Sequence, residues 1–320
     1  SIMKASACFL FGVAVLSLCI RIPTKGSPFI DPDFGTTVIR ITDKAIDGYS
    51  GLGIENEYAR TDPENSDGTL IILRGNDGEW YLYDANTFQM VKRLSNIVGG
   101  GEEPEPRWDP SNLKVFYYLY GTELRSYNVD KDVSTTIHDF RADFPFASYI
   151  TTKTEGDASL DRRYMCFMVE DSSCNLLKVI TYDKSSDRIL GQKTSFSDRI
   201  DWVSMDMSGD HCVIGYESHV AQVFSLDFST SVDLPAGANG HMDLALTSDG
   251  RDVMVYQNTA TDWIAMADLN TGVETPLLEI PFGINVDIGL HFSGNSADRP
   301  GWVLVSTYGS IIPPTGSHHC

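Results

Sequence analysis

The sequence has few basic residues and no cluster of them. Lys and Arg total 24 against 44 Asp and Glu, which gives a formal net charge of −20 over 320 residues. Nucleic acids and anionic membrane surfaces bind proteins largely through Lys and Arg, which neutralise phosphate charge. We therefore expect the chain to bind neither. Its acidity is consistent with solubility or with cation binding.

Several familiar motifs are also missing. No Gly-x-Ser-x-Gly is present, so a hydrolase of the α/β class with a serine nucleophile is not indicated. The Gly-rich stretch 97–106 lacks the Lys-Ser/Thr of a phosphate-binding loop. Beyond the N-terminal segment, no run of fifteen residues has a helical period. These absences favour an all-β fold.

The six cysteines form no Cys-x-x-Cys pair, which excludes the common zinc and redox motifs. Cys166 and Cys212 lie inside apolar runs. They are interpreted as small buried side chains. A chain of this length does not need a disulfide scaffold.

The N-terminus resembles an export signal. Lys4 precedes the apolar run "ACFLFGVAVLSLCI", which is too short to span a bilayer. Residues 1–25 are therefore predicted to be a signal-like or anchoring segment, with no membrane span, and the protein to be secreted, extracellular or periplasmic. Two alternatives stay open: lipid attachment at Cys19, and an ordered segment that uses residues 8–20 for assembly.

A repeat is the strongest feature that is present. The stretch "NGHMDLALTSDGRDVMVYQNTATDWIAMADLNTG" (239–272) starts polar, runs apolar, turns at Asp-Gly and ends on a strand closed by an aspartate. The closing aspartates of five such copies are Asp84, Asp130, Asp183, Asp227 and Asp268, spaced 46, 53, 44 and 41 residues apart. Several short strands at this period are typical of β-propeller blades.

The predicted fold is an all-β propeller of four-stranded antiparallel blades, forming a single domain over residues 34–309. A lone strand at 36–43 precedes the five copies, and a sixth copy begins at 284–309. This predicts roughly five and a half blades here, where a complete ring has about six or seven. The last blade is expected to leave an open edge, followed by a tail at 310–320.

Propeller blades gather the residues near their first strands around one mouth of the central channel. Two imidazoles, His241 and His291, together with Asp243 predict a site for a divalent metal such as manganese or calcium. Arg60 or Arg107 is a candidate to bind a substrate carboxylate, and Tyr58 a candidate acid or base. The competing interpretation is that strand starts are polar only because they are exposed. The full set is Glu57, Tyr58, Arg60, Glu105, Arg107, Glu155, Asp157, Asp201, Trp202, His241, Asp243, Asp287 and His291.

The stretches "NEYARTDPENSDGTLIIL", "EPRWDPSNLKVFYYL", "EGDASLDRRYMCFM" and "HMDLALTSDG" resemble secreted bacterial propellers of the TolB-like and oligogalacturonate-lyase-like group. The resemblance covers most of residues 34–309. It implies a divalent metal bound largely by histidines and cleavage of uronate oligomers by β-elimination. It also implies that His241 and His291 occupy metal-site positions and that Arg107 is a substrate arginine.

Two classes of function remain open from the sequence. The first is a metal-dependent lyase that takes an acidic oligosaccharide, or another small polar ligand, at the channel mouth. The second is a non-catalytic propeller that binds partners or self-associates through residues 8–20 or through the open blade edge. The first requires the side chains of His241 and His291 to converge.

Overall fold

The computed structural model describes residues 23–31, 35–99, 104–238, 241–261, 263–280, 288–294 and 299–309. Every regular element within these ranges is a β-strand. No helix in them has the length and apolarity that crossing a membrane requires. The predicted N-terminal apolar segment up to residue 22, the tail 310–320 and Asp287 lie outside the described residues.

The described residues 23–31 and 35–41 belong to a small unit of their own. In it, β1 (Pro28–Ile30) pairs antiparallel with β2 (Thr37–Ile39). The strand predicted at 36–43 is therefore one half of a two-stranded hairpin.

Five four-stranded antiparallel sheets follow, each with its strands in chain order. Their repetition confirms the predicted propeller blades. Blade 1 contains β3 (Ile54–Glu55), β4 (Leu70–Gly75), β5 (Trp80–Asp84) and β6 (Met90–Arg93); blade 2 contains β7 (Arg107–Trp108), β8 (Val115–Tyr120), β9 (Glu123–Asn128) and β10 (Val133–Asp139). Blade 3 contains β11 (Tyr149–Thr151), β12 (Tyr164–Glu170), β13 (Leu176–Asp183) and β14 (Arg188–Lys193). Blade 4 contains β15 (Ile200–Met205), β16 (His211–Tyr216), β17 (Gln222–Ser225) and β18 (Ser231–Asp233); blade 5 contains β19 (Met242–Leu246), β20 (Asp252–Asn258), β21 (Trp263–Asp268) and β22 (Glu274–Glu279).

A sixth sheet has two described strands, β23 (Ile288–Ser293) and β24 (Leu304–Gly309), which pair antiparallel. An apolar groove of about 390 Å³ separates it from blade 5 and is lined in part by Ile264, Leu278 and Val303.

The apolar core lies between neighbouring blades. Trp80, Trp108 and Phe116 belong to one cluster shared by blades 1 and 2, and similar clusters join each later pair of sheets. Second strands such as β12 are buried along nearly their whole length, because both of their faces are covered. A single blade cannot bury both faces alone, so stacking against its neighbours stabilises the fold.

The closing aspartates organise the turn between the third and fourth strands. The Asp84 and Asp268 carboxylates accept hydrogen bonds from main-chain N–H groups two and three residues further on. Such Asx turns explain why aspartate recurs there. In blade 2, however, the last residue of the third strand is Asn128, whose amide oxygen accepts from Lys131 N at 2.9 Å. Asp130 is exposed and is not the equivalent residue.

Cys166 and Cys212 are buried, as the sequence predicts, but they are joined in a disulfide that the sequence analysis did not expect. They lie near the starts of β12 and β16, the second strands of blades 3 and 4, with Cα atoms 5.7 Å apart. That separation is within the range that a disulfide bridges. The bond therefore links two neighbouring blades across their shared core.

Candidate functional site

A loop of blade 1 reaches into the centre of the propeller. This loop, residues 56–61, lies between β3 and β4 and is called the channel loop below. The Asn56 side chain shapes it by donating to Tyr58 O at 2.7 Å and Thr61 O at 3.2 Å, while its amide oxygen accepts from Glu57 N. An asparagine amide can replace main-chain partners in this way, so a short loop keeps one conformation.

Arg60 is the residue of the channel loop with the most distant partners. Its Nη2 lies 2.7 Å from Glu155 Oε2 of blade 3, and its guanidinium lies 4.7 Å from the ring centroid of Trp202 of blade 4. Ser293 Oγ of the sixth sheet donates to the Arg60 carbonyl at 3.4 Å. Arg60 therefore contacts three other sheets around the channel.

Trp202 can contact Arg60 because a glycine faces it. Gly215 on β16 pairs with Trp202 on β15, and a Cβ atom at Gly215 would lie 2.3 Å from the indole Nε1. The indole is thus packed flat against the neighbouring strand and is fully buried.

The two predicted histidines converge at this mouth. His241 directly precedes β19 and His291 lies on β23, and their ring centroids are 4.8 Å apart. Tyr58 contacts His291 edge-on, with centroids 5.4 Å apart. We call Tyr58, Arg60, Glu155, Trp202, His241 and His291 the mouth cluster.

The environment of both histidines favours their neutral form. Burial lowers the pKa of His241, and the positive charges of His291 and Arg60 lower it further, while Asp201 opposes this. Burial and Arg60 likewise lower the pKa of His291. Neutral imidazoles offer a lone pair, which both metal binding and proton abstraction require.

Asp243 lies two residues after His241 but is bound to main chain. Its carboxylate accepts from Leu244 N at 2.9 Å and from Gly294 N at 2.8 Å. Burial raises its pKa to about 7. Among the described residues, no group of three His, Cys, Asp or Glu side chains is arranged to bind a metal ion. The neutral histidine pair fits two ligands of such a site, and the metal role of His241, His291 and Asp243 stays a prediction.

All the donors of Arg107 are engaged. Its Nη1 bonds Glu57 Oε2 at 2.7 Å and the Pro106 carbonyl at 2.9 Å, and its Nη2 donates to the carbonyls of Thr154 and Gly156 at 3.2 and 3.0 Å. The Nε donates to Gly156 O at 3.3 Å. Because a guanidinium has five N–H donors, none is left for a substrate carboxylate in this arrangement.

Other residues of the predicted set connect blades 2 and 3 rather than face the mouth cluster. Glu105 accepts hydrogen bonds from the Thr151 hydroxyl and from the main chain of Thr152. Asp157 forms an ion pair with Arg162, whose Nε donates to the Trp108 carbonyl at 2.9 Å. These contacts are structural.

Glu155, Trp202, Ser293 and Gly215 are the residues whose roles the sequence did not reveal. Glu155 and Trp202 were expected near the channel, but nothing in the repeat indicated that both contact Arg60. Ser293 and Gly215 carry no signal beyond their places in a strand.

The chain matches no family profile and no curated protein sequence. Among solved structures it is similar to an oligogalacturonate lyase in complex with manganese, at 14% identity and a TM-score of 0.60, covering 87% of this chain and 80% of that one. It is also similar to an oligogalacturonate lyase from Vibrio parahaemolyticus, at 14% identity and a TM-score of 0.56, covering 83% and 76%. TolB from Acinetobacter baumannii aligns at 17% identity over 75% and 60%, with a TM-score of 0.43. At these identities the two lyases establish the propeller fold.

Proposed function

We propose that this chain is a secreted carbohydrate-active propeller that cleaves uronate oligosaccharides by metal-dependent β-elimination. The observation that carries the proposal is the neutral pair His241 and His291 beside the cationic Arg60 at one channel mouth. The two lyases of similar fold, one of them a manganese complex, support the choice of reaction.

The proposed chemistry assigns a role to each group. A divalent cation bound by His241 and His291, when present, would acidify the proton α to the substrate carboxylate. Arg60 binds that carboxylate, in place of the fully engaged Arg107. Tyr58, or a histidine that does not bind the cation, removes the α-proton. The electron pair forms the C=C bond as the C–O bond to the leaving sugar breaks, and the departing oxygen takes up the proton from that acid–base group.

The disulfide supports the proposed export. Disulfides form and persist in oxidising compartments and are rare in the reducing cytosol. The link between Cys166 and Cys212 therefore fits an extracellular or periplasmic location.

Ultraviolet absorbance during incubation with a panel of uronate oligomers tests the proposal. We expect a rise from the new C=C bond conjugated to the carboxylate with added manganese or calcium, and its abolition by chelator. His241→Ala should lower the rate by at least about a hundredfold, as loss of a general base or metal ligand does. His219→Ala, outside the mouth cluster, is the matched control. A flat trace across the panel from folded protein refutes the lyase.

A second candidate, a self-assembling module, is favoured by the sixth sheet. Trp302 and Leu304 are each 71% exposed there, and Leu278 of the adjacent blade is 59% exposed. Exposed apolar patches of this kind mark interaction surfaces. Light scattering should then show an oligomer that Leu304→Lys dissociates, while Leu52→Lys, at a separate exposed leucine, leaves it intact. A monodisperse wild-type monomer contradicts this candidate.

A further inference from the structure

The ion pair between Arg60 and Glu155 differs from that of Arg107 and Glu57 in the exposure of its carboxylate, while the Arg60 side chain itself is only 5% exposed. The Glu57 side chain is 2% exposed and also accepts from Thr61 Oγ1 at 3.3 Å. The Glu155 side chain is 19% exposed, and its ion pair with Arg60 spans 2.7 Å. Only the first of these carboxylates is enclosed.

Arg60 is anchored by contacts that do not involve the Glu155 carboxylate. One face of the guanidinium lies against Trp202, and its Nη1 donates to the main-chain carbonyl of Glu155 at 3.4 Å. Ser293 Oγ bonds the Arg60 carbonyl. The guanidinium would therefore keep its position if the carboxylate turned away.

The main chain on both sides of Glu155 is fixed. Arg107 donates to the carbonyls of Thr154 and Gly156, which ties the main chain before and after Glu155 to one buried guanidinium. Gly156 also packs so closely on Val203 that a Cβ there would lie 1.9 Å from Val203 O. Movement of the carboxylate is thus limited to rotation of the Glu155 side chain.

Charge at the mouth makes that rotation favourable when another anion arrives. Burial and the nearby Asp201 carboxylate raise the pKa of Glu155, while Arg60 opposes the rise. The ionised carboxylate is therefore costly where it lies, and Arg60 is its main compensation.

We infer that Glu155 occupies the anion-binding position of Arg60, and that an acidic ligand binds at the mouth by replacing the Glu155 carboxylate. This inference rests on the proposed function for the identity of the ligand, a uronate carboxylate. The exchange itself applies to any small carboxylate. Glu155 then determines specificity, since a neutral sugar offers nothing to replace it.

The test is a titration of metal-free protein with sodium acetate, followed by the shift of the Trp202 indole N–H in ¹⁵N NMR spectra. Trp202→Phe assigns that signal. Glu155→Gln removes the internal anion while keeping its shape. A hydrogen bond to a charged group contributes enough for about a tenfold change in affinity. We therefore expect acetate to bind Glu155→Gln about tenfold more tightly than wild type, and Arg60→Gln not at all.

Glu57→Gln is the matched control, because it removes the carboxylate of the other arginine pair. It should bind acetate as wild type does. Equal or weaker acetate binding by Glu155→Gln, or the same gain in Glu57→Gln, overturns the exchange. Acetate binding by Arg60→Gln as tight as that of wild type overturns it too.

Repeating the titration with trigalacturonate and with a neutral trisaccharide separates this inference from the proposed function. If Glu155→Gln binds trigalacturonate more tightly than wild type does but binds the neutral trisaccharide no more tightly, the exchange and the uronate ligand are both supported. A gain for acetate without one for trigalacturonate leaves the exchange standing and refutes the uronate ligand.

Discussion

Replacing Gly215 with alanine tests whether the packing of Trp202 controls the mouth cluster. The added methyl carbon would lie 2.3 Å from the indole Nε1 and 2.4 Å from Cε2, well inside van der Waals contact. Trp202 is 1% exposed, so the indole has no free space into which it can turn. The substitution must therefore move the indole or separate β15 from β16.

The expected cost follows from two opposing effects. Overpacking of a buried site costs about 3 kcal/mol at the upper end of its usual range. Replacing glycine with alanine restricts the unfolded chain and returns about 0.4–1 kcal/mol. We expect Gly215→Ala to lower the free energy of unfolding by about 2 kcal/mol, measured by urea denaturation.

Gly53→Ala is the control, because a Cβ there meets no atom within 4 Å. It should keep wild-type stability or gain up to about 1 kcal/mol. Near-ultraviolet circular dichroism should change only in Gly215→Ala, where the indole moves. If the two variants are equally stable, Trp202 does not pack on Gly215, and the explanation of how the indole is positioned against Arg60 is wrong.

Three other perturbations test the fold around the site. Burial raises the pKa of Glu57 from 4.5 to about 7, so the folded state favours the protonated form, and this group should remove about 3 kcal/mol of stability as the pH rises from 4.5 to 7. Other buried carboxyls such as Asp243 lose stability over the same range in both proteins, so urea denaturation at the two pH values should show a loss about 3 kcal/mol larger in wild type than in Glu57→Gln; equal losses in the two proteins contradict the role of Glu57. Reducing the disulfide should lower stability by about 4 kcal/mol, from the 46-residue separation it closes, and leave a Cys166→Ala/Cys212→Ala variant unaffected by reductant. Asn56→Ala should cost about 1–3 kcal/mol in thermal or urea unfolding, because it removes the hydrogen bonds that shape the channel loop; wild-type stability would show that the loop does not depend on them.

The repeat was enough to predict the fold and the convergence of two distant histidines. His241 and His291 are 50 residues apart in the chain, yet both belong to the first-strand regions of consecutive sheets, one directly before β19 and the other within β23, and their rings come together. The repeat indicates which residues lie near the first strand of each blade. From the sequence alone, such residues can therefore be predicted to lie near the channel, although their contacts cannot.

The contacts themselves could not be predicted, because they depend on competition for partners. Arg60 and Arg107 were both candidates in the sequence. In the structure Arg107 donates to the carbonyls of Thr154 and Gly156, whereas Arg60 forms an ion pair with Glu155. The disulfide was missed for a similar reason. An apolar run indicates that a cysteine is buried, but not that the next blade presents a second cysteine opposite.

The mouth cluster is formed by residues of blades 1, 3, 4 and 5 together with the sixth sheet. Arg60 and Tyr58 of blade 1 contact Ser293 and His291 of the sixth sheet directly. The first and last described sheets of the propeller thus meet at the channel, through side chains of the channel loop. The proposed ligand site therefore lies among these sheets at the channel, whereas the proposed self-association would use exposed residues of the sixth sheet such as Leu304. A variant that dissociates an oligomer, such as Leu304→Lys, should leave acetate binding unchanged. If it weakens acetate binding, the mouth and the edge are coupled and the two candidate functions are not independent.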